Sequence, residues 1–323
     1  MNKPNPKPVG IPQIVVVGSI NMDLLAVVHR LPRPGETVVS LGFEENPGGK
    51  GANQAVAAAR LGATSVMIGR VGDDAIGQQL RRSLRESQVS VSNVRTTRGK
   101  SSGVALITVA NFGENTIVVV PGANGALSPT DVAAAEATLQ SADAILVQLE
   151  IPLETVAAVI DVARRHDVRL ILDPAPACDD LPHDMLKVDV VCPNAVEAQQ
   201  LTGVAINKPA DAEPALKQLL RRGVRLPIIT LGAQGAIFAD EGEIHHVKSF
   251  PVDAVDATAA GDSFAAALAV ALVEGQGNLA AVRFASAAGA IAASRSGAQR
   301  SMPTREDVDS LIMEGNRRSP ADG

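Results

Sequence analysis

The sequence has little aromatic character: only six of its 323 residues are Phe, and Trp and Tyr are absent. Proteins that bind single-stranded nucleic acid stack bases on aromatic side chains along a basic groove, and the sequence has no basic segment interleaved with aromatics. The formal net charge is −6. An acidic balance does not favour a nucleic acid or an anionic membrane as partner. We therefore expect neither nucleic-acid nor membrane binding.

Cysteines and long apolar runs are also scarce. The two cysteines, Cys178 and Cys192, provide neither a disulfide framework nor a set of metal ligands, which fits a reducing cytoplasm. The longest apolar run, Phe264–Val273, is too short to span a bilayer. Residues 1–13 are rich in Pro, Asn and Lys and lack the apolar stretch of a secretory signal. We predict a cytoplasmic protein with flexible tails at 1–13 and 316–323.

Between these tails, short apolar runs alternate with helix-like segments. Ile14–Gly18 is a continuous apolar run that ends in Gly, as expected of a buried parallel strand. The length allows one large α/β domain with a small appendage. Strand-like segments near 33–47 and 100–122 interrupt the alternation, and we interpret them as a small separate sheet that serves as a lid.

One junction of the chain predicts an anion-binding site. Small residues at 256–263 are followed by the apolar run 264–273, a pattern typical of a tight loop that leads into a buried helix. The first N–H groups of a helix have no helical partners, and the helix dipole adds positive charge there. Ala259, Ala260 and Gly261 would let a phosphoryl group approach these N–H groups. Asp262, whose ionised form the dipole favours, could accept a proton beside the phosphate.

A purely structural interpretation competes with this one. Asp residues often cap helices, and Ala or Gly before a helix is common. This junction by itself does not decide between a cap and a catalytic carboxylate.

A second glycine-rich helix start occurs at 46–55. Gly49, Lys50 and Asn53 are suited to the hydroxyls of a neutral polyol, whereas a cluster of packing glycines is the structural alternative. The segment is neither a Walker A loop nor a dinucleotide-binding GxGxxG motif, because Gly51 follows Lys50 and Gln54 stands at the third Gly position.

Polar residues follow several predicted strands, where ligands of open α/β sheets collect. Asn21 and Asp23 follow the first strand and could together bind vicinal hydroxyls, although an Asp/Asn turn without a ligand is a competing interpretation. Glu150 ends another strand. Thr230 and Gly232 lie at the end of a third strand, a natural place for a nucleotide contact.

Asn194 and Glu197 lie three residues apart at a predicted helix start. This spacing is typical of a capping box. It also places one carboxylate where it could organise water around Mg²⁺ near phosphates. Both roles are compatible.

Together these segments resemble the ribokinase (PfkB) sugar-kinase family. The resemblance rests on Gly49-Lys-Gly-Ala-Asn53, Asn194–Glu197 and Ala259–Asp262 in this order and extends from Ile14 to about Ile312. It implies a three-layer α/β/α domain over 14–315 with a doubly wound, mostly parallel sheet, and a β lid through which two copies often form a homodimer. It also implies Mg²⁺-dependent transfer of the ATP γ-phosphoryl group to O5 of ribose.

The resemblance assigns roles to individual residues. It makes Asp262 the base and the N–H groups of Ala259, Ala260 and Gly261 the anion hole. The implied sugar ligands are Asn21, Asp23, Gly49, Lys50, Asn53, Glu150 and Asp262. The implied ATP ligands are Asn194, Thr230, Gly232, Gly235, Gly261 and Ser286, with Glu197 serving Mg²⁺ through water. A K⁺ ion would be held by Asp256, Thr258, Ala292, Arg295, Gly297 and Ser301.

Two positions depart from the family pattern: Ala257 stands where Thr is frequent, and Ser286 where His or Asn is frequent near adenine. We expect the first change to be silent and the second to alter the adenine contacts. A kinase for 2-deoxyribose, a nucleoside or another furanose remains an alternative. A catalytically silent sugar-binding regulator is a third, disfavoured by the intact Asp262 and glycine loop.

Overall fold

The computed structural model describes residues 10–110, 114–178 and 181–318. Of the two predicted tails, residues 1–9 and 319–323 lie outside the described residues. The predicted tail bounds are wrong where the structure describes them, because Gln13 opens the first strand and residues 316–318 belong to the last helix. Within the described residues, no helix is long and apolar enough to cross a membrane.

The strands of the described residues form two sheets. In chain order they are β1 (Gln13–Val17), β2 (Asn21–Val28), β3 (Gly42–Gly48), β4 (Thr64–Gly72), β5 (Val89–Thr97), β6 (Gly103–Ala110), β7 (Asn115–Val120), β8 (Ala144–Gln148), β9 (Arg169–Asp173), β10 (Val190–Val191), β11 (Leu226–Thr230), β12 (Ala236–Asp240) and β13 (Glu243–Val247).

The larger sheet has nine strands in the order β13-β12-β11-β10-β9-β8-β1-β4-β5. Its strands from β11 to β5 are parallel, and the β12–β13 hairpin adds the antiparallel edge. The order changes direction between β1 and β8, as in doubly wound sheets, where ligands bind outside the carboxyl ends of the strands.

Most helices of the described residues connect these strands, and the last three follow β13. The helices are α1 (Lys50–Arg60), α2 (Ala75–Glu86), α3 (Pro129–Ala134), α4 (Glu136–Ser141), α5 (Leu153–Arg165), α6 (Ala195–Thr202), α7 (Ala212–Arg221), α8 (Ala260–Val273), α9 (Asn278–Ala293) and α10 (Arg305–Arg318).

Alternation along β1 shows why helices cover both faces of the sheet. Ile14 and Val16 pack into a core with residues of α1, α8 and α9, whereas Val15 and Val17 pack into a second core with residues of α5. Successive side chains of a strand point to opposite faces, so a strand that is apolar throughout must be covered on both. The predicted three-layer α/β/α architecture is confirmed.

The smaller sheet has four strands in the order β3-β2-β6-β7. The predicted lid segments, about 33–47 and 100–122, omit β2 and start β3 too early, since β3 begins at Gly42. The sequence does not distinguish β2 from the end of β1, because only three residues separate the two strands. Asn21 and Asp23 therefore belong to a strand rather than to a turn. In the structure, Asn21 and Asp23 share one face of β2 while the intervening Met22 is buried on the other.

Candidate active site

The carboxyl ends of the central strands meet the starts of α1 and α8 at one edge of the large sheet. Gln148 and Asp173 are the last residues of β8 and β9, and Asp262 lies in the first turn of α8. The helices α1 and α8 pack against each other. This packing brings together the two glycine-containing helix starts that the sequence singled out.

Asp262 is held by two neighbouring residues of α1. Asn53 Nδ2 donates to Asp262 Oδ2 at 2.8 Å, and Gln54 Nε2 donates to Asp262 Oδ1 at 3.2 Å. Only 2% of the Asp262 surface is exposed. The carboxylate is thus oriented by side chains of α1, and no side-chain bond caps the start of α8.

The predicted preference of Asp262 for its ionised form is wrong in direction. Burial raises the pKa of Asp262 above its ordinary value, and the negative charge of Glu150 adds to this. Lys50 and the bonds from Asn53 and Gln54 oppose the rise without cancelling it. Desolvation of a buried carboxylate outweighs the helix dipole here. A raised pKa makes Asp262 a stronger base than the dipole argument predicted.

The segment before Asp262 is open to solvent on one side. Gly261 is exposed, and a Cβ atom added to it would meet nothing within 4 Å. Ala259 is buried, and the N–H of Ala260 already donates to Ala257 O at 3.2 Å. The N–H of Ala260 would therefore share its hydrogen bond between Ala257 and an incoming anion.

Glu150 and Ser19 organise the start of α1. Glu150 Oε2 accepts hydrogen bonds from Ser19 Oγ at 2.5 Å and from Lys50 N at 3.2 Å. Gly49 precedes the helix with φ of 88°, and a Cβ atom there would lie 2.7 Å from Asn21 N. Glycine is required at this position both for its backbone conformation and for the close approach of β2.

Charged groups of both signs crowd around the start of α1. Burial opposes the charge of Lys50, but the carboxylates of Asp262, Asp173, Glu150 and Glu197 outweigh it and raise the pKa of the ammonium group. Burial, assisted by Glu150 and Asp262, raises the pKa of Asp23 to about 7. Asp23 therefore titrates near neutral pH, whereas Lys50 stays protonated.

A cavity of about 440 Å³ lies beside Gly261. Five of the six predicted ATP ligands line it: Thr230, Gly232, Gly235, Gly261 and Ser286. The Ser286 hydroxyl donates within its own helix, because its Oγ bonds to Val282 O at 2.8 Å. The segment Ser249–Val252 and Phe264 add an apolar wall. The sequence carried no motif that singled out this segment.

Asn194 does not line that cavity. It lies with Thr230 and Gly232 in an adjoining cavity of about 210 Å³. The predicted capping box is confirmed: Glu197 N donates to Asn194 Oδ1 at 2.9 Å, and Asn194 N donates to Glu197 Oε2 at 2.8 Å. Burial raises the pKa of Glu197. Glu197 thus serves as a cap in the structure, and its role near Mg²⁺ stays a prediction.

Three of the predicted K⁺ ligands, Asp256, Thr258 and Gly297, are joined by hydrogen bonds between two loops. Asp256 Oδ1 accepts from the N–H of Thr258 at 3.0 Å, and Asp256 Oδ2 accepts from the N–H of Gly297 at 3.0 Å. Burial opposes ionisation of Asp256, but these bonds together with that of the Thr258 hydroxyl lower its pKa. An anionic carboxylate among carbonyl and hydroxyl oxygens is the donor chemistry that a hard cation prefers. The residues therefore fit a monovalent cation.

No group of three or more His, Cys, Asp or Glu side chains that could hold a metal ion occurs among the described residues. A cation bound mainly through water and phosphate oxygens needs no such group. The arrangement is compatible with Mg²⁺ carried to the site with a nucleotide.

Sequence reasoning missed five buried polar residues of the site, one of which is Gln148, whose side chain donates to Gln54. Ser19, Gln54, Asn124 and Asp173 are at least 94% buried, and each bonds to a predicted site residue or its neighbour. Gln54 is next to Asn53 in the motif, and Asp173 ends a strand, so both had a local signal. Asn124 follows the lid strand β7, and nothing in the sequence connects it to Asn21.

The chain matches a model of known protein families. The model for pfkB family carbohydrate kinases matches residues 12–305. A ribokinase from Haemophilus influenzae is 39% identical over 296 residues, which cover 91% of this chain and 96% of that protein. A deoxyribokinase from Salmonella typhi is 35% identical over 300 residues, which cover 93% of this chain and 98% of that protein.

The fold also matches a solved structure, that of an Arabidopsis thaliana ribokinase complexed with ribose and ATP. The TM-score is 0.88 at 33% sequence identity, and the match covers 94% of this chain and 99% of that chain. The protein in that structure binds a sugar and a nucleotide, ribose and ATP.

Proposed function

Because this chain belongs to the pfkB family of carbohydrate kinases, we propose that it transfers the γ-phosphoryl group of ATP to O5 of D-ribose. The products are D-ribose 5-phosphate and ADP. The observation that carries the proposal is the 2.8 Å hydrogen bond from Asn53 Nδ2 to Asp262 Oδ2. It joins the helix start suited to sugar hydroxyls to the helix start suited to phosphate.

Asp262 acts as the general base. It accepts the proton of the O5 hydroxyl as O5 bonds to the γ-phosphorus, and the bond from that phosphorus to the β–γ bridging oxygen breaks, releasing ADP. The N–H groups of Ala259, Ala260 and Gly261 stabilise the negative charge on the transferred group. The raised pKa of Asp262 suits this role, because a base with a pKa nearer the working pH takes the proton more effectively.

The sugar lies among Asn21, Asp23, Lys50 and Glu150, with the backbone of Gly49 and the side chains of Asn53 and Asp262. Asn21 and Asp23 project from the same face of β2. Two polar groups so spaced bind adjacent hydroxyls, which favours a sugar that has its 2-hydroxyl group. The lid closes over the sugar and excludes water, which limits hydrolysis of ATP.

Phosphorylation of 2-deoxyribose is the second candidate, supported by the 35% identity to a deoxyribokinase. That identity is similar to the 39% shared with a ribokinase, so overall similarity does not separate the two substrates. The paired polar groups of β2 favour ribose.

ATP occupies the 440 Å³ cavity with its adenine against the apolar wall and contacts Thr230, Gly232 and Gly235. It reaches Asn194 in the adjoining cavity, which shares Thr230 and Gly232. Glu197 would hold Mg²⁺ through water, and the ion would supply positive charge that neutralises the phosphates. Asp256, Thr258, Ala292, Arg295, Gly297 and Ser301 would hold K⁺, whose positive charge would support the anion hole.

Two copies of the chain associate through the lid in the cytoplasm. Phe43, Leu106 and Val118 share one face of the lid by strand register, and each is at least 46% exposed. An exposed apolar sheet face is typical of an interaction surface. The two cysteines are free, in keeping with a reducing compartment.

The test is a coupled assay of ADP release with ribose, 2-deoxyribose and a nucleoside, each with and without K⁺. We expect the highest kcat/KM with ribose and little ADP release without sugar. A higher kcat/KM with 2-deoxyribose would replace the assigned substrate. If no acceptor produced sugar-dependent release of ADP, the result would support the alternative of a catalytically silent regulator.

A further inference from the structure

Three buried polar side chains lie directly behind Asp262 and have no place in the proposed binding of ribose or ATP. Gln54 and Gln148 are fully buried, and Asp173 is 6% exposed. Burying polar groups is unfavourable unless they are hydrogen-bonded. Their position at the base of the site therefore calls for a function.

The orientation of the Gln54 amide follows from its neighbours. Gln148 Nε2 donates to Gln54 Oε1 at 2.5 Å, which uses the oxygen of the amide as an acceptor. The NH₂ group then faces two carboxyl groups, Asp173 Oδ2 at 2.9 Å and Asp262 Oδ1 at 3.2 Å. An amide nitrogen has two N–H donors, one for each carboxyl group.

Gln148 is itself immobilised by packing. A Cβ atom on Gly18 would lie 2.0 Å from Gln148 Oε1 and 2.9 Å from the Cα atom of Gly51. The position that follows β1 therefore has no room for a side chain, and a glycine there accommodates Gln148. A fixed Gln148 in turn fixes Gln54.

Each oxygen of Asp262 is therefore held by one of two consecutive residues of α1, Oδ2 by Asn53 and Oδ1 by Gln54. Asn53 is a proposed sugar ligand, whereas Gln54 is fully buried. The two contacts define the plane of the carboxylate. A base must hold this plane to stay within hydrogen-bond reach of the attacking hydroxyl.

We propose that Gln54 is a positioning residue that fixes the carboxylate plane of Asp262, and that Asp173 is the anchor that holds Gln54 from the opposite side. This role rests on the proposed kinase function. It predicts an effect of Gln54 on kcat rather than on the binding of either substrate.

The charges around Asp173 support an uncharged anchor. Burial raises the pKa of Asp173 to about 8, with Lys50 opposing the rise and Asp262, Glu197 and Glu150 increasing it. Burial also raises the pKa of the nearby Cys192 thiol, and the carboxyl groups of Asp173, Glu197 and Asp262 add to that rise. Loss of the Asp173 proton above about pH 8 would place a second anion beside Asp262. That charge would oppose the negative charge that develops during phosphoryl transfer.

The experiment compares Gln54→Met and Asp173→Asn with the wild type and with Gln79→Met, a matched change at an exposed Gln of α2. We expect Gln54→Met to lower kcat about tenfold or more while the KM values for ribose and ATP change less than about twofold. Gln79→Met should leave kcat unchanged. Asp173→Asn should lower kcat less than Gln54→Met does at pH 7, and it should retain that activity above pH 8, where wild-type kcat falls.

Melting temperature and ribose-induced stabilisation are measured for every variant. If Gln54→Met does not fold, Gln54→Asn, which keeps the amide but is too short to reach both carboxyl groups, takes its place. A kcat for Gln54→Met equal to that of Gln79→Met, or an Asp173→Asn pH profile identical to wild type, would overturn the inference. An error in the proposed substrate can be distinguished from an error in this inference. If the wild type prefers another sugar, the ratio of variant kcat to wild-type kcat is measured with that sugar.

Discussion

Asn124 Nδ2 donates a hydrogen bond to Asn21 Oδ1 at 2.6 Å, although 103 residues separate the two in the chain. Asn124 Oδ1 also accepts from Ile20 N at 2.9 Å, so both ends of its amide are used on the β1–β2 connection. With its oxygen occupied, Asn21 presents its NH₂ group as the hydrogen-bonding group for a sugar hydroxyl. A residue that follows the lid thus sets the donor character of a proposed sugar ligand.

Replacing Asn124 with Ala should therefore weaken sugar binding. We expect the KM for ribose to rise about tenfold with kcat changed less than about threefold, because one buried hydrogen bond that orients a ligand is worth about 1–1.5 kcal/mol. Steady-state kinetics at saturating ATP measure both values. Asn93→Ala, at an amide on β5 that bonds Ser92 and Thr138, is the control. An unchanged ribose KM would show that Asn21 does not need this support.

Replacing Asp262 with Asn should remove the base while keeping the side chain's shape. We expect kcat to fall by at least about 10² with a smaller effect on ribose binding. Single-turnover phosphoryl transfer and ribose binding by calorimetry separate the two quantities. Turnover near the wild-type rate would exclude Asp262 from the mechanism.

The pKa of Asp23, about 7, predicts a pH dependence of sugar binding. As pH falls below 7, protonation removes a carboxylate that accepts bonds from sugar hydroxyls, so kcat/KM for ribose should decrease. Asp23→Asn should bind ribose more weakly and lose this dependence between pH 6 and 8. A pH profile unchanged by the substitution would assign the transition to another group.

The same shift affects stability. The folded-state pKa of Asp23 lies above its ordinary value of 3.8, so the folded protein binds the proton more tightly than the unfolded chain. The contribution of Asp23 to the free energy of unfolding is fully present below about pH 4 and lost as pH rises through 7. Urea unfolding of Asp23→Asn should show a weaker decline over this range than the wild type.

The loop bond between Asp256 and Gly297 predicts where K⁺ acts. In Asp256→Ala, the ratio of kcat with K⁺ to kcat without K⁺ should fall towards one, because the anionic ligand of the cation is lost. Asp253→Ala, an exposed position three residues earlier in the same loop, should keep the wild-type ratio. Equal K⁺ activation in both variants would move the cation site elsewhere.

A charge on the lid should prevent association of two copies. Val118 is 60% exposed on β7, and Val118→Glu would bury a carboxylate in the proposed interface, which is unfavourable. Light scattering after size exclusion should report a dimer for the wild type and a monomer for Val118→Glu. Met313→Glu, at a similarly exposed residue of α10, should remain dimeric. A wild-type monomer at micromolar concentration would contradict the proposal.

Much of the fold followed from local patterns. The apolar runs of β1, β8 and β11 identified buried parallel strands, and glycines with small residues located the starts of α1 and α8. The capping box of Asn194 and Glu197 could also be predicted from the sequence, because its two hydrogen bonds join residues three apart. The sequence predicted the lid but not its strand β2, because only three residues separate β2 from β1.

The sequence by itself determined which residue types stand at which helix starts, because turns, caps and helix ends depend on neighbours along the chain. Only the tertiary structure decided the electrostatics of the site. Asp262 and Gln54 lie 208 residues apart, and the direction of the Asp262 pKa shift depends on burial and on charges contributed by other elements. Such long-range contacts exist only after α1 and α8 pack together, so no local pattern encodes them.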